Sequence, residues 1–83
     1  MNYYVYMLKA ISSKKKKTYV GYTGDLNKRL TQHNTNKGAK FTKGNTWKII
    51  FKKKFILKSD AMTYEYELKH DKNKRLNIYN NSK

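Results

Sequence analysis

Two short segments rich in tyrosine and valine, Tyr3–Lys9 and Thr18–Tyr22, constrain the fold more than any other part of this chain. Both have the aromatic and β-branched composition that is typical of strands. A polar stretch separates them, made of Ser12, Ser13 and the four lysines Lys14 to Lys17, and such a stretch favours a turn. The sequence therefore predicts an antiparallel hairpin at the start of the chain.

The segment after the hairpin has the signals of a helix followed by a loop. Thr23, Gly24 and Asp25 supply turn and capping groups, because Thr and Asp side chains accept the free N–H groups of a first helical turn. We expect a helix from about Leu26 to Asn34. A basic loop is expected to follow, from Asn34 to Asn45.

The remaining residues predict one more strand and two helices. The third strand is expected over Trp47 to Leu57, with Lys53 interrupting an otherwise apolar face formed by the odd-numbered residues Trp47, Ile49, Phe51, Phe55 and Leu57. Ser59 is expected to cap a second helix ending near His70, and a short third helix is expected around Lys74 to Tyr79. The predicted fold class is α+β, a small three-stranded antiparallel sheet flanked by helices in the order β-β-α-β-α, with the short helix last.

Size and composition restrict the class of protein further. The 83 residues fit one domain, 1–83, which has to be stabilised by a small core. Cysteine is absent, which excludes disulfides and thiolate metal sites and is compatible with a reducing intracellular compartment. The N-terminal apolar run lacks the flanking features of a signal peptide, and no run is long enough for a membrane span. The expected location is the cytoplasm, with no membrane partner.

The net charge of +15 favours a polyanionic partner. Nucleic acid is the obvious candidate, and DNA the expected one. A coding bias towards lysine is the alternative, but bias alone would usually raise glutamate as well, and the chain has only 5 acidic residues. Candidate phosphate contacts are Lys14, Lys15, Lys16, Lys17, Lys40 and Lys43, with Lys52 to Lys54 as further contacts for a simple binder. Such contacts give affinity and salt dependence but little sequence specificity.

The two strands of the hairpin carry the first candidate site residues. Side chains alternate along a strand, so Tyr4, Tyr6 and Leu8 share one face and Tyr19 shares a face with Gly21. Tyr6 and Tyr19 can therefore project into one site, and Gly21 leaves space for a ligand or a neighbouring backbone. The alternative is that these tyrosines are ordinary strand residues of the core.

The first helix adds an arginine and a histidine on its packed side. At about 100° per residue, Leu26, Arg29, Leu30 and His33 fall within one arc, whereas Lys28 and Gln32 are expected to point away. An arginine is suited to binding phosphate oxygens with its planar fork. The alternative is a snorkelling arginine and a hydrogen-bonded histidine at the helix end.

The second helix places a carboxylate among apolar residues. Ala61, Tyr64, Glu65 and Leu68 share one arc, whereas Glu67 lies on the polar side. A carboxylate on an apolar face needs a charged partner or a cation, and a magnesium shell typically combines one carboxylate with waters and phosphate oxygens. The alternative is an ion pair with Arg29 or a lysine.

The order of these motifs resembles the GIY-YIG nuclease family over Tyr4 to about Arg75. Tyr-Val-Tyr at 4–6 and Tyr-Val-Gly at 19–21 stand for the two triplets. Further matching segments are Thr23, Asp25 to Asn34, Gly38-Ala39-Lys40 with Thr42, and Ala61 to Tyr66. The chain looks most like the small stand-alone bacterial and structure-specific branches. It departs in having Tyr4 for a glycine, and Asn77 is the candidate for an asparagine that follows the glutamate.

The resemblance implies a metal-dependent endonuclease that hydrolyses phosphodiester bonds in DNA, of a structure-specific kind that acts in DNA repair or recombination. Tyr6 and Tyr19 would line the site, with one of them assisting deprotonation of a water. Arg29 would stabilise phosphate charge, His33 would assist proton transfer or orient a tyrosine, and Glu65 would hold Mg²⁺ or Mn²⁺. The alternative is a noncatalytic nucleic-acid-binding module of the same fold, or one that needs a protein partner for activity.

Overall fold

The first tyrosine-rich segment forms the central strand of a three-stranded antiparallel sheet. The computed structural model describes residues 2–82. Its strands are β1 (Tyr3–Ala10), β2 (Thr18–Thr23) and β3 (Trp47–Phe55), and its helices are α1 (Leu26–Asn34), α2 (Lys58–His70) and α3 (Lys72–Asn80). A 3₁₀ turn, Lys40–Thr42, precedes β3. The strand order is β2-β1-β3, which confirms the predicted α+β class and hairpin.

The core lies on both faces of β1. Val5, Tyr6, Met7 and Leu8 are each at most 1% exposed. Because side chains alternate along a strand, Val5 and Met7 pack with buried residues of α2, whereas Tyr6 and Leu8 pack on the opposite face, against residues of α1 and the start of β3. The sheet therefore separates two small apolar layers, and Tyr6 belongs to the layer beneath α1.

The alternation of β3 reverses part-way along the strand. Leu8 pairs with Ile49, but the preceding Met7 pairs with Phe51, which leaves Ile50 as an extra residue. A bulge of this kind exchanges the faces of all side chains beyond it. The prediction that the odd-numbered residues of β3 share one face is therefore wrong, because residues before and after the bulge join different layers.

The start of α1 follows the prediction, whereas the start of α2 does not. The Asp25 carboxylate accepts a hydrogen bond from the Lys28 backbone N–H at 3.1 Å, which is the expected N-cap. Leu57 is the N-cap of α2 and makes no side-chain cap bond, so Ser59 lies inside the first turn. The predicted Ser59 cap is wrong, because β3 ends at Phe55 and the chain enters the helix sooner.

The third helix is longer than the sequence suggests. Asp71 ends α2 and also caps α3, where its carboxylate accepts a hydrogen bond from the Lys74 N–H at 3.0 Å. This shared residue lets the chain turn with almost no loop. Within residues 2–82, no helix is long and apolar enough to cross a membrane.

Candidate active site

An open cleft of about 720 Å³ lies beside the edge strand β2. Its walls come from both strands of the hairpin, the turn before α1, α1 itself and α2: Tyr6, Tyr19, Gly21, Tyr22, Thr23, Gly24, Asp25, Lys28, Arg29, Gln32 and Glu65. Tyr6, Tyr19, Arg29 and Glu65 thus converge on one cavity although they are distant in sequence. Of the predicted catalytic residues, only His33 does not line it.

Gly21 makes room for the tip of Tyr6. The two residues are paired across β1 and β2, and Tyr6 is 1% exposed. A Cβ atom at position 21 would lie 2.5 Å from the Tyr6 hydroxyl oxygen and 3.2 Å from a ring carbon of Tyr19. The sequence predicted space at Gly21 for a backbone or a ligand, and the structure shows that a tyrosine side chain of the site fills it.

Replacing Gly21 with alanine is expected to destabilise the fold by about 1–3 kcal/mol, because the new methyl group forces Tyr6 out of its position. Urea unfolding measures the free energy. Gly24→Ala is the matched control, since a Cβ there would approach no atom closer than 3.9 Å. Equal stability of the two variants would show that the Tyr6 hydroxyl is not held where the structure places it.

A buried chain of hydrogen bonds holds Tyr6 from behind. Its hydroxyl lies 2.9 Å from Nε2 of His33, and Nδ1 of His33 lies 2.9 Å from the Thr42 hydroxyl. Thr42 donates its only hydroxyl proton to the Ala39 carbonyl at 2.7 Å. Nδ1 of His33 must therefore be the donor to Thr42, which leaves Nε2 of the neutral ring as the acceptor of the Tyr6 proton.

His33 lies behind the cleft and not in its wall. It is 0% exposed, and burial, together with the nearby Arg29 charge, lowers its pKa to about 4. Gly38 packs directly against it, since a Cβ there would lie 2.5 Å from Nδ1 of His33. This burial keeps His33 from direct contact with a substrate, so either role that the family resemblance implies, proton transfer or the orienting of a tyrosine, would be carried out through its contact with Tyr6.

The buried neutral His33 predicts a pH-dependent stability. An unfolded histidine has a pKa of about 6.5, so between pH 6.5 and 4 the unfolded chain binds more protons than the folded protein. The free energy of unfolding should therefore fall as the pH drops through this window, by about 3 kcal/mol from this residue.

Urea unfolding of the parent, His33→Gln and His70→Gln across this pH range measures the effect. The exposed His70 is the only other histidine of the chain and serves as the control. We expect His33→Gln to flatten the pH dependence and His70→Gln to leave it nearly unchanged. Parallel curves for the parent and His33→Gln would contradict the assigned protonation state.

The Tyr6 hydroxyl does not deprotonate readily. Burial raises its pKa to about 12, although the hydrogen bond and charge of Arg29 act in the opposite direction. The Tyr19 ring is more accessible and lies 5.0 Å from the His33 ring and 6.4 Å from the Tyr6 ring, measured between centroids. The two tyrosines therefore present hydroxyl groups to one cleft from different depths.

Arg29 is held in a polar environment at the cleft wall. Its Nη1 donates a hydrogen bond to Oε1 of Gln32 at 3.0 Å. Burial acts to lower its pKa, but hydrogen bonds with Tyr6 and Tyr19 outweigh burial and raise the pKa above the ordinary value, so the guanidinium stays charged. Lys28 is exposed, as predicted for a residue that points away from the core, and Gln32 is half-buried, but both line the cleft, which extends along the flank of α1.

Glu65 occupies the predicted position on the packed side of α2. It lies between the buried residues Ala61 and Leu68, and its side chain is 18% exposed, whereas Glu67 is exposed. Nζ of Lys69, one turn further along the helix, lies 3.6 Å from Oε1 of Glu65. A lysine is thus the partner of this carboxylate, but the pair is partly open to solvent and weak enough for a ligand to separate.

The donor set of the cleft fits a hard divalent cation bound together with substrate. Among residues 2–82, no three His, Cys, Asp or Glu side chains are grouped to hold a metal ion by themselves. Glu65 and Asp25 are the carboxylates of the cleft, and Asp25 is engaged in capping α1. Mg²⁺ or Mn²⁺ can use one carboxylate because it retains waters and accepts phosphate oxygens.

Comparison with known proteins identifies the family. The family model described as the GIY-YIG catalytic domain matches residues 2–80. The chain belongs to the GIY-YIG family. It is similar to a UPF0213 protein of Oceanobacillus iheyensis, 44% identical over 68 residues that cover 81% of this chain and 76% of the relative. The UPF0213 protein YazA of Bacillus subtilis is 39% identical over 79 residues, covering 94% of this chain and 77% of the relative.

A solved structure supports the fold of this GIY-YIG domain. The solution NMR structure of a UPF0213 protein from Bacillus halodurans is 36% identical and matches with a TM-score of 0.57. The match covers 96% of this chain and 84% of the other. It includes the three-stranded antiparallel sheet and the helices that carry the cleft.

The two departures of this GIY-YIG chain from its family pattern lie outside the cleft. Tyr4, which replaces a glycine, lines a shallow groove with Gly24 and Asp25 at the turn before α1. Asn77 is exposed on α3 and does not line the cleft, so it remains only a candidate from the sequence.

The predicted phosphate-binding lysines are also outside the cleft. Lys14 to Lys17 lie between β1 and β2, at the opposite end of the hairpin from Thr23, and Nζ of Lys16 lies 5.4 Å from the centre of the Tyr79 ring. Lys40 is the first residue of the 3₁₀ turn and Lys43 follows its end. None of these lysines lines the cleft, so any contact they make with nucleic acid is with its more distant phosphates.

Thr42 and Gln32 are site residues whose roles the sequence did not reveal. Thr42 fixes the tautomer of His33, and Gln32 accepts the hydrogen bond of Arg29. Thr42 belongs to the segments that resemble the family, so the sequence indicates that this residue matters but not what it does. One feature of the sequence could have indicated the role of Gln32. It lies three residues after Arg29, and residues at this spacing are neighbours on a helix surface.

Proposed function

We propose that this protein is a divalent-metal-dependent endonuclease that hydrolyses phosphodiester bonds in DNA. The observation that supports the proposal most is the convergence of Arg29, Glu65, Tyr6 and Tyr19 on one open cleft. The net charge of +15 supports a nucleic-acid substrate. Membership of the GIY-YIG family supports nuclease chemistry.

In the proposed mechanism, Glu65 binds the cation and Arg29 stabilises phosphate charge directly. Glu65 is the protein ligand for Mg²⁺ or Mn²⁺, which when bound offsets phosphate charge and makes a coordinated water more acidic. Arg29 provides a fixed positive charge from the other wall, and Gln32 limits its movement. Such a preorganised donor stabilises the charge that develops on the phosphate oxygens during in-line attack.

Tyr6 and His33 together can move a proton without forming a free tyrosinate. As the Tyr6 oxygen receives a proton from the attacking water, the Tyr6 proton can pass to Nε2 of His33, at 2.9 Å. The raised Tyr6 pKa opposes a free tyrosinate, but this relay does not require one. The low pKa of His33 makes its protonation costly in the free protein, and the negative charge of a bound phosphate reduces that cost. Tyr19 provides a second hydroxyl to orient the water or the phosphate.

A cleavage assay on a panel of labelled nucleic acids tests the proposal. The panel contains single-stranded, duplex, nicked and branched DNA and a matched RNA, each incubated with Mg²⁺, Mn²⁺ or a chelator. We expect metal-dependent cutting of DNA. A preference for nicked or branched DNA would support a structure-specific role in repair or recombination.

Tight binding without cutting across the panel would contradict the proposed endonuclease activity. It would instead support the noncatalytic or partner-dependent nucleic-acid-binding module. The Glu65–Lys69 ion pair is the observation that favours this second function, because it satisfies the carboxylate without a cation.

A further inference from the structure

A second, smaller groove adjoins the cleft. It measures about 240 Å³ and is lined by Thr18, Tyr19, Val20, Phe41, Lys69 and Arg75. Tyr19 lines both the groove and the cleft, and Nζ of Lys69 reaches within 3.6 Å of Glu65 in the cleft. A single strand of nucleic acid bound in the cleft can therefore continue into this groove.

Phe41 is an exposed aromatic ring at the edge of the groove. It is 55% exposed although it stacks on Tyr19, with ring centroids 6.3 Å apart and planes at 23°. Its other aromatic neighbour is Trp47, at 6.1 Å between centroids. One side of the ring is therefore supported by the site, and more than half of the side chain is available to a ligand.

The position of Phe41 is fixed by the residue that follows it. Thr42 is 0% exposed, its carbonyl accepts a hydrogen bond from Nε1 of Trp47 at 2.8 Å, and its hydroxyl bonds both His33 and Ala39. These contacts anchor the 3₁₀ turn on the buried hydrogen-bond chain of the site. An aromatic ring held in advance binds a flat partner with little loss of conformational entropy.

We propose that the Phe41 groove is a subsite for one unpaired nucleobase next to the phosphate that is cut, an inference that rests on the proposed nuclease function. Every base has a flat face that stacks on an aromatic side chain, whatever its sequence. Bases inside a duplex are already stacked on both faces, so the subsite selects a strand that is single or locally open.

The charges around the groove support a nucleotide as its occupant. Lys69 stands between the groove and the cleft with its side chain 46% exposed, where a backbone phosphate would pass. Arg75 is not available in the same way, because its Nη1 donates to the Leu68 and Lys69 carbonyls and holds the end of α2. The groove thus combines an aromatic platform with a half-exposed lysine whose ion pair with Glu65 is weak enough for a phosphate to compete, which matches a base and its phosphate.

Binding of short oligonucleotides in the presence of a chelator tests the subsite without cleavage. One single-stranded DNA carries 2-aminopurine, whose fluorescence changes on stacking, and a duplex of the same sequence is compared with it. We expect Phe41→Ala to weaken single-strand binding about tenfold and to abolish the fluorescence change. Phe41→Trp should retain both, and duplex affinity should not change in either variant.

Tyr66→Ala is the matched control. Tyr66 is 64% exposed on α2, its ring meets only the His70 ring among the ring contacts of residues 2–82, and it lines neither the cleft nor the groove. Its removal should leave single-strand binding unchanged. The subsite alone would be overturned if the parent and Phe41→Ala bound single-stranded DNA equally well. It would also be overturned if Phe41→Ala lost as much affinity for the duplex as for the single strand. Failure of the parent to bind any of these DNAs would overturn the subsite together with the proposed function.

Discussion

Glu65→Gln is expected to slow phosphodiester cleavage at least about a thousandfold while DNA binding is retained or becomes slightly tighter. Glutamine keeps the length and hydrogen-bonding capacity of the side chain but removes the charge that a divalent cation needs. Binding is not lost, because phosphate contacts come from positive side chains, and the variant carries one negative charge fewer. Single-turnover cleavage and chelator-blocked binding measure the two quantities separately.

Glu67→Gln is the control for this prediction. It changes the same residue type on the same helix, but Glu67 is exposed and does not line the cleft. We expect cleavage close to that of the parent. If Glu65→Gln cuts DNA as fast as Glu67→Gln does, the assignment of Glu65 as metal ligand is wrong.

Arg29→Ala is expected to reduce cleavage by about 10²–10³-fold, because it removes the fixed positive charge from the wall opposite α2. Arg29→Lys should recover only part of the activity, since an ammonium group lacks the planar fork that binds two phosphate oxygens while it also donates to Gln32. The rate at saturating DNA distinguishes this loss from weaker binding.

Lys37→Ala provides the charge-matched control. Lys37 follows α1, is exposed and lies outside the cleft, so its removal changes the net charge by the same amount as Arg29→Ala. A small loss of affinity without a loss of rate is expected. Similar rate losses in Lys37→Ala and Arg29→Ala would mean that only the overall charge matters.

Most of the fold could be predicted because its signals are local. The two tyrosine-rich strands, the Asp25 cap and the apolar arc of α2 each follow from residues close together in the sequence. The bulge at Ile50 could not be predicted, because Ile49, Ile50 and Phe51 form a continuous apolar run that fits either face. Its position is set by pairing with β1, which is a long-range contact.

The site was predictable to the extent that its residues are unusual for their surroundings. Arg29 and Glu65 are charged residues on apolar helix faces, and both line the cleft. The burial of His33 and its bond to Thr42 could not be predicted, because they depend on how α1 and the 3₁₀ turn pack on the sheet. The catalytic roles themselves remain predictions.

In the proposed function, a divalent cation and a DNA phosphate meet in the cleft beside Glu65. The measurement that tests it most directly is NMR of the protein with a short uncleavable DNA and substoichiometric Mn²⁺, which broadens the signals of nearby nuclei. We predict the strongest broadening at Glu65, Gly21 and Thr23, and its loss in Glu65→Gln. Broadening centred elsewhere, or unchanged in that variant, would contradict the claim.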